Sequence, residues 1–67
     1  MNSKKLKKYQ YKLSYVIEED LVGWYLIIYK DPNINKSVED YLFDTLEDAL
    51  FEAEDRFGIP KNDWKEI

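Results

Sequence analysis

The chain has 67 residues and a formal net charge of −4, with neither cysteine nor histidine. This length suits one small domain, and the lack of cysteine excludes disulfides and thiolate metal sites. Without histidine or cysteine the chain also lacks the commonest general base and nucleophiles, so we expect no enzyme and no cofactor. No long apolar run follows the basic start. We therefore predict a cytoplasmic protein without a signal peptide or a membrane partner.

Charge is distributed unevenly along the chain. Residues 1–12 hold five lysines and no acid, whereas residues 39–55 hold eight acids and no base. Such asymmetry can mark interaction surfaces, although a solvated helix face and a soluble basic start would give the same pattern. We interpret residues 1–8 as a flexible basic tail and residues 9–67 as a single small domain.

Three stretches in the first two thirds of the chain have strand character. Alternating apolar and polar residues from Tyr9 to Glu18 predict a half-buried strand. The sequence WYLIIY, from Trp24 to Tyr29, is apolar on both faces and predicts a central strand. VEDYLF, residues 38–43, predicts a shorter third strand.

The predicted loop before the third strand, KDPNINKS at residues 30–37, raises the question of a metal. Asp31, Asn33, Asn35 and Ser37 stand at alternate positions, as oxygen ligands do in a calcium loop. The central glycine and the twelfth-position glutamate of such loops are missing. We therefore predict a plain polar loop and no metal site.

The stretch DTLEDALFEAEDRFGI, residues 44–59, predicts a helix at about residues 45–57. One helical face is apolar: Leu46, Ala49, Leu50, Ala53 and Phe57. Asp44 is the expected N-cap, with Glu47 completing a capping box, and Gly58 is the expected stop. Trp64 is expected to dock on the core.

Together these elements predict an α+β fold. It consists of a three-stranded antiparallel β-meander with one amphipathic helix across one face, in the order β-β-β-α, and a short C-terminal turn. The opposite sheet face, with several tyrosines of the first two strands, has no obvious cover. A bare face of this kind favours a homodimer as one way to bury it.

Phe51 falls outside the apolar helix face, among charged residues. One interpretation is that another segment covers it, or that it is an isolated surface hydrophobe. The other is an aromatic anchor for a partner protein with a basic surface, ringed by Glu47, Asp48, Glu54 and Asp55. The second interpretation is the basis of the function that we predict, a non-catalytic protein-binding module.

A nucleic-acid-binding domain is the alternative function. Lysines that bind phosphates, followed by aromatic residues that stack on bases, are typical of such domains. The residues concerned are Lys4, Lys5, Lys7, Lys8, Tyr9 and Tyr11. The acidic helix argues against a large phosphate footprint, because it would repel the backbone. A self-associating structural domain is a third interpretation.

The sequence YLFDTLEDALFEAED, residues 41–55, resembles the strand-to-helix junction of HicB-type antitoxins. In that family a β-meander is followed by a helix that opens with an Asp-Thr/Ser-Leu-Glu-Glu-Ala-Leu pattern. The chain has no counterpart of the family's Asp-Leu-Pro-Gly-Cys segment. Its acidic character is also similar to that of small immunity proteins that block basic nucleases. Both resemblances imply a protein that binds and neutralises another protein.

Overall fold

The computed structural model describes residues 6–31 and 36–67. It contains β1 Lys8–Tyr11, β2 Tyr15–Asp20, β3 Gly23–Asp31, β4 Lys36–Phe43, α1 Leu46–Phe57, a 3-10 turn Lys61–Asp63 and β5 Lys65–Glu66. The strands form one antiparallel sheet in the order β4-β3-β2-β1-β5. The α+β class is confirmed, but the predicted number of strands is too low.

The predicted first strand is in fact two strands. A turn at residues 12–14 separates β1 from β2, and Lys12 in it has a φ of 53°. The alternating pattern continues through this turn because the hairpin pairs Tyr11 with Tyr15 and Tyr9 with Ile17. Residues that pair across an antiparallel ladder share a face. A hairpin therefore reproduces the pattern of one long strand.

The fifth strand was not predicted. Lys65 pairs with Gln10, Glu66 pairs with Tyr9, and the Ile67 amide donates to the Lys8 carbonyl at 2.8 Å. The C-terminus thus covers part of the outer edge of β1.

Strand β3 has the interior position predicted for WYLIIY, since it pairs with β2 on one side and β4 on the other. It begins at Gly23, where a Cβ atom would lie 2.3 Å from the Phe43 carbonyl oxygen. The predicted 30–37 loop is shorter, because β3 continues to Asp31 and β4 starts at Lys36. Most of the candidate metal loop lies outside the described residues.

The core lies between the sheet and α1. Its fully enclosed cluster is Ile17, Leu26, Ala49, Ala53 and Ile59. Around it pack half-buried apolar and aromatic residues: Tyr9, Tyr11, Tyr15, Trp24, Ile28, Phe43, Leu46, Leu50, Phe57 and Trp64. The predicted apolar helix face and the docking of Trp64 are confirmed. Tyr9, Tyr11 and Tyr15 lie on this face, so their expected place on the open face is wrong, whereas Tyr25 of the second predicted strand does lie on the opposite face.

The helix begins one residue later than predicted. Thr45, in an extended conformation, is the N-cap, and its Oγ1 accepts a hydrogen bond from the Asp48 amide at 3.1 Å. The predicted capping box of Asp44 with Glu47 is therefore wrong. The predicted stop is confirmed: Gly58 is left-handed with a φ of 69°, and the Ile59 amide donates to the Ala53 carbonyl. This bond folds Ile59 into the core.

Candidate functional site

Helical geometry places Phe51 at the centre of four carboxylates. Glu47 and Asp48 precede it by four and three residues, and Glu54 and Asp55 follow it by three and four. Residues at these spacings are surface neighbours on a helix. All five side chains are exposed. We call this set the Phe51 surface.

Phe51 is not covered by another part of the described chain. Its side chain is 61% exposed, whereas the next residue back, Leu50, is half-buried against the core. The Trp64 ring packs against Tyr11, with ring centroids 5.9 Å apart. The interpretation of Phe51 as a satellite core residue is therefore wrong. Its exposure leaves an aromatic ring free in an acidic surround.

The four carboxylates of the Phe51 surface make no ion pair with any side chain among residues 6–29 and 39–67. Two of them, Glu47 and Asp48, lie in the first helical turn, where the helix dipole favours negative charge. The other two, Glu54 and Asp55, lie near the helix C-terminus, where the dipole disfavours it. The helix therefore carries unfavourable charge here that no base among the described side chains offsets.

The opposite edge of α1, formed by Glu52 and Arg56, is bound to the sheet. The Arg56 Nε lies 2.6 Å from Glu52 Oε2, and its Nη1 donates to the Tyr41 hydroxyl at 3.2 Å. The guanidinium also lies over the Tyr41 ring, 4.9 Å from its centroid. Tyr41 in turn donates to Glu39 Oε1 at 2.9 Å. We call these four residues the tied edge.

Electrostatics within the tied edge shift two pKa values. The hydrogen bond to Glu39, partial desolvation and the charge of Glu39 raise the pKa of Tyr41 above 10.0, against a smaller lowering by Arg56. The hydrogen bond to Glu52 and its charge raise the already high pKa of Arg56. The sequence signals part of this edge, since Glu52 and Arg56 have the i, i+4 spacing of a helical ion pair. The contact with Tyr41 depends on tertiary packing.

The described residues of the nucleic-acid alternative, which begin at Lys7, are not assembled into one exposed surface. Tyr9 and Tyr11 are half-buried on the helix side of the sheet, and Tyr9 lies 6.3 Å from the Trp24 ring. Lys8 pairs with Glu18 at 3.5 Å, and the Lys7 amide donates to Glu19 Oε1. Lys4 and Lys5 lie outside the described residues. The tyrosines therefore offer no open platform for base stacking.

Other chemistry is sparse in the part of the chain that the structure describes. Across residues 6–31 and 36–67, no three acidic side chains converge on a possible metal ion. The same residues include no helix long and apolar enough to cross a bilayer. The Phe51 surface thus has the clearest combination of exposed apolar area and unpaired charge.

Comparisons with protein-family models, with curated proteins and with solved structures find no match to this chain. The resemblance to HicB-type antitoxins and immunity proteins therefore stays a prediction drawn from residues 41–55.

Proposed function

We propose that the chain is a small, non-catalytic protein-binding module whose Phe51 surface engages a partner with a basic rim around an apolar pocket. One observation carries this proposal: Phe51 is 61% exposed between four carboxylates that have no partner among the described residues. An aromatic side chain enclosed by a polar rim is the usual arrangement of an interface hot spot.

The two parts of the Phe51 surface have separate roles in this proposal. Burial of the Phe51 ring supplies affinity, and its loss costs about 2 kcal/mol or more, which is roughly 30-fold in Kd. The carboxylates steer a basic partner and speed its association, an effect that salt screens. High salt should therefore slow association more than it speeds dissociation.

The position of Glu54 and Asp55 supports the proposal independently. Both carboxylates lie near the negative end of the helix dipole and are unpaired within the described chain. A local arrangement that works against stability is common at sites that serve binding. A basic partner would remove the repulsion. In this respect the chain would act as antitoxins and immunity proteins do, by occupying another protein's surface.

Quantitative capture from a lysate of the native host tests the proposal. Three baits are compared: the unaltered chain, Phe51→Ala, and Leu21→Ala. Leu21 is the matched control, because it is 83% exposed but lies in the turn between β2 and β3, away from α1. The lysate is treated with nuclease so that nucleic acid cannot bridge proteins to the bait.

The expected result is a protein that the unaltered chain and Leu21→Ala retain equally and that Phe51→Ala loses. Its Kd for the purified chain should rise about 30-fold on Phe51→Ala. Equal capture by all three baits would refute the role of Phe51. Retention of random oligonucleotides by the purified chain, lost on removal of residues 1–8, would instead favour the nucleic-acid function.

A further inference from the structure

The sheet face opposite α1 carries an ordered row of side chains across all five strands. The ladder pairs Lys65 of β5 with Gln10, Gln10 with Val16, Val16 with Ile27, and Ile27 with Asp40 of β4. The side chain of Val16 points to the opposite face of the sheet from that of Ile17, which belongs to the core beneath α1. This row therefore points away from the helix, on what we call the outer face.

The row runs from positive to negative charge across the sheet. Lys65 at one end and Asp40 at the other are exposed, Ile27 is half-buried, and Val16 at the centre is buried. The neighbouring row ends in two exposed hydrophobes, Ile67 beside Lys8 and Leu42 on β4, which are 66% and 50% exposed. Each row therefore places complementary groups at its opposite ends.

We propose that two copies of the chain pack outer face to outer face, about a two-fold axis that runs parallel to the strands over β2. This rotation exchanges the two edges of the sheet, so that β5 of one copy lies over β4 of the other. Lys65 then faces Asp40, and Ile67 faces Leu42, twice in each dimer. An axis perpendicular to the strands would instead place Asp40 against Asp40.

The middle of the face suits the same arrangement. Val16 is only 6% exposed and lies below the axis, so the side chains around it make the contact there. Glu18 also lies near the axis, and Lys8 of the same chain neutralises it at 3.5 Å. Tyr25, on the next strand, comes opposite Lys8 of the other copy, a pairing that favours cation–π contact.

The size of the outer face limits the strength of the dimer. Five strands about 4.8 Å apart and rows of about five residues give a face of roughly 20 × 17 Å. Two such faces bury on the order of 1,000 Å² in total, the low end for specific interfaces. We therefore expect a dimer that dissociates at micromolar to millimolar concentration.

Sedimentation velocity over a concentration series tests the proposal by charge exchange. Lys65→Glu and Asp40→Lys each place like charges together twice, and each alone should weaken dimerisation about tenfold or more. An equimolar mixture of the two variants should recover it. In that heterodimer one contact pairs Glu with Lys and the other is the native Lys65–Asp40 pair.

Phe51→Ala is the control, and it should leave dimerisation unchanged because Phe51 lies on the far side of the molecule. A monomer at all concentrations up to several mM would overturn the proposal, since that series spans the whole range expected for an interface of this size. So would a dimer that both charge reversals leave intact, or a mixture that recovers nothing. Association that appears only after removal of residues 1–5 would also overturn it, by making that segment the occupant.

Discussion

The two edges of α1 both carry acids, one on the tied edge and four on the Phe51 surface, but the contacts of these acids differ. On the tied edge, Glu52 binds Arg56, which contacts Tyr41 and through it Glu39. On the Phe51 surface, four carboxylates surround an exposed ring and pair with nothing in the described chain. The same helix thus has one edge joined to the sheet and one edge left open.

This difference follows from the position of the single base of α1 among its five acids. A single base in α1, Arg56, is placed where it can reach both Glu52 and β4. No base among the described side chains pairs with Glu54 or Asp55, although a lysine at the helical pair spacing would satisfy both the dipole and the ion-pair geometry. Ion pairing therefore stabilises the tied edge, whereas the carboxylates of the Phe51 surface stay unpaired within the described chain.

The largest expected effect on the free energy of unfolding distinguishes the core-facing side of α1, which includes Leu50, from the Phe51 surface. Leu50→Ala should lower the free energy of unfolding by about 2 kcal/mol, the low end for leucine truncation because Leu50 is half-buried. Phe51→Ala should change it by no more than about 0.5 kcal/mol, since surface substitutions rarely do more and alanine is a better helix former. Thermal and urea unfolding of the two variants side by side measure both. Equal large losses would mean that Phe51 serves the fold.

The Phe51 surface could be predicted from the sequence because it depends only on helical periodicity. Once residues 46–57 form a helix, the angular positions of Phe51 and its four neighbours follow. The left-handed stop at Gly58 was equally local and was predicted correctly. What a residue at such a position contacts is not local, and the exposure of Phe51 required the tertiary structure.

The errors in the predicted fold have physical causes of two kinds. The turn after Tyr11 was missed because a hairpin keeps alternating residues on one face, so no change of period marks it. The N-cap was misplaced because Asp44 and Thr45 are both good caps, and backbone geometry selects between them. Strand β5 and the Arg56–Tyr41 contact depend on residues far apart in the chain, for which local patterns carry no signal.

Substitutions that remove charge from the two edges should change the free energy of unfolding by smaller amounts and in opposite directions. Arg56→Gln should lower the free energy of unfolding by a few tenths of a kcal/mol, up to about 1, the range for exposed ion pairs. The double change Glu54→Gln and Asp55→Asn should raise it by a few tenths, because it removes negative charge from the helix C-terminus. Both differences should shrink in high salt. A loss of stability in the double variant would mean that these carboxylates have stabilising contacts.

The last prediction uses Tyr41 as a reporter of the tied edge. Its hydrogen bond to Glu39 raises the pKa of the phenol, so Tyr41 should ionise above the ordinary value of 10.0. Tyrosinate absorbance measured against pH, with the Tyr41→Phe titration subtracted, isolates this residue from the other tyrosines. Because the folded-state pKa is the higher one, the contribution to stability is complete below pH 10.0 and is lost as pH rises through the folded-state value.

Two substitutions should move this pKa in opposite directions. Glu39→Gln removes the acceptor charge that raises it, so the pKa of Tyr41 should fall toward 10.0. Arg56→Gln removes the cation that favours the phenolate, so the pKa should rise further. Neither change touches the Phe51 surface, and capture of a partner should persist in both variants. If both substitutions left the titration of Tyr41 unchanged, the contact between α1 and β4 would not persist in solution, and the contrast between the two helix edges would be lost.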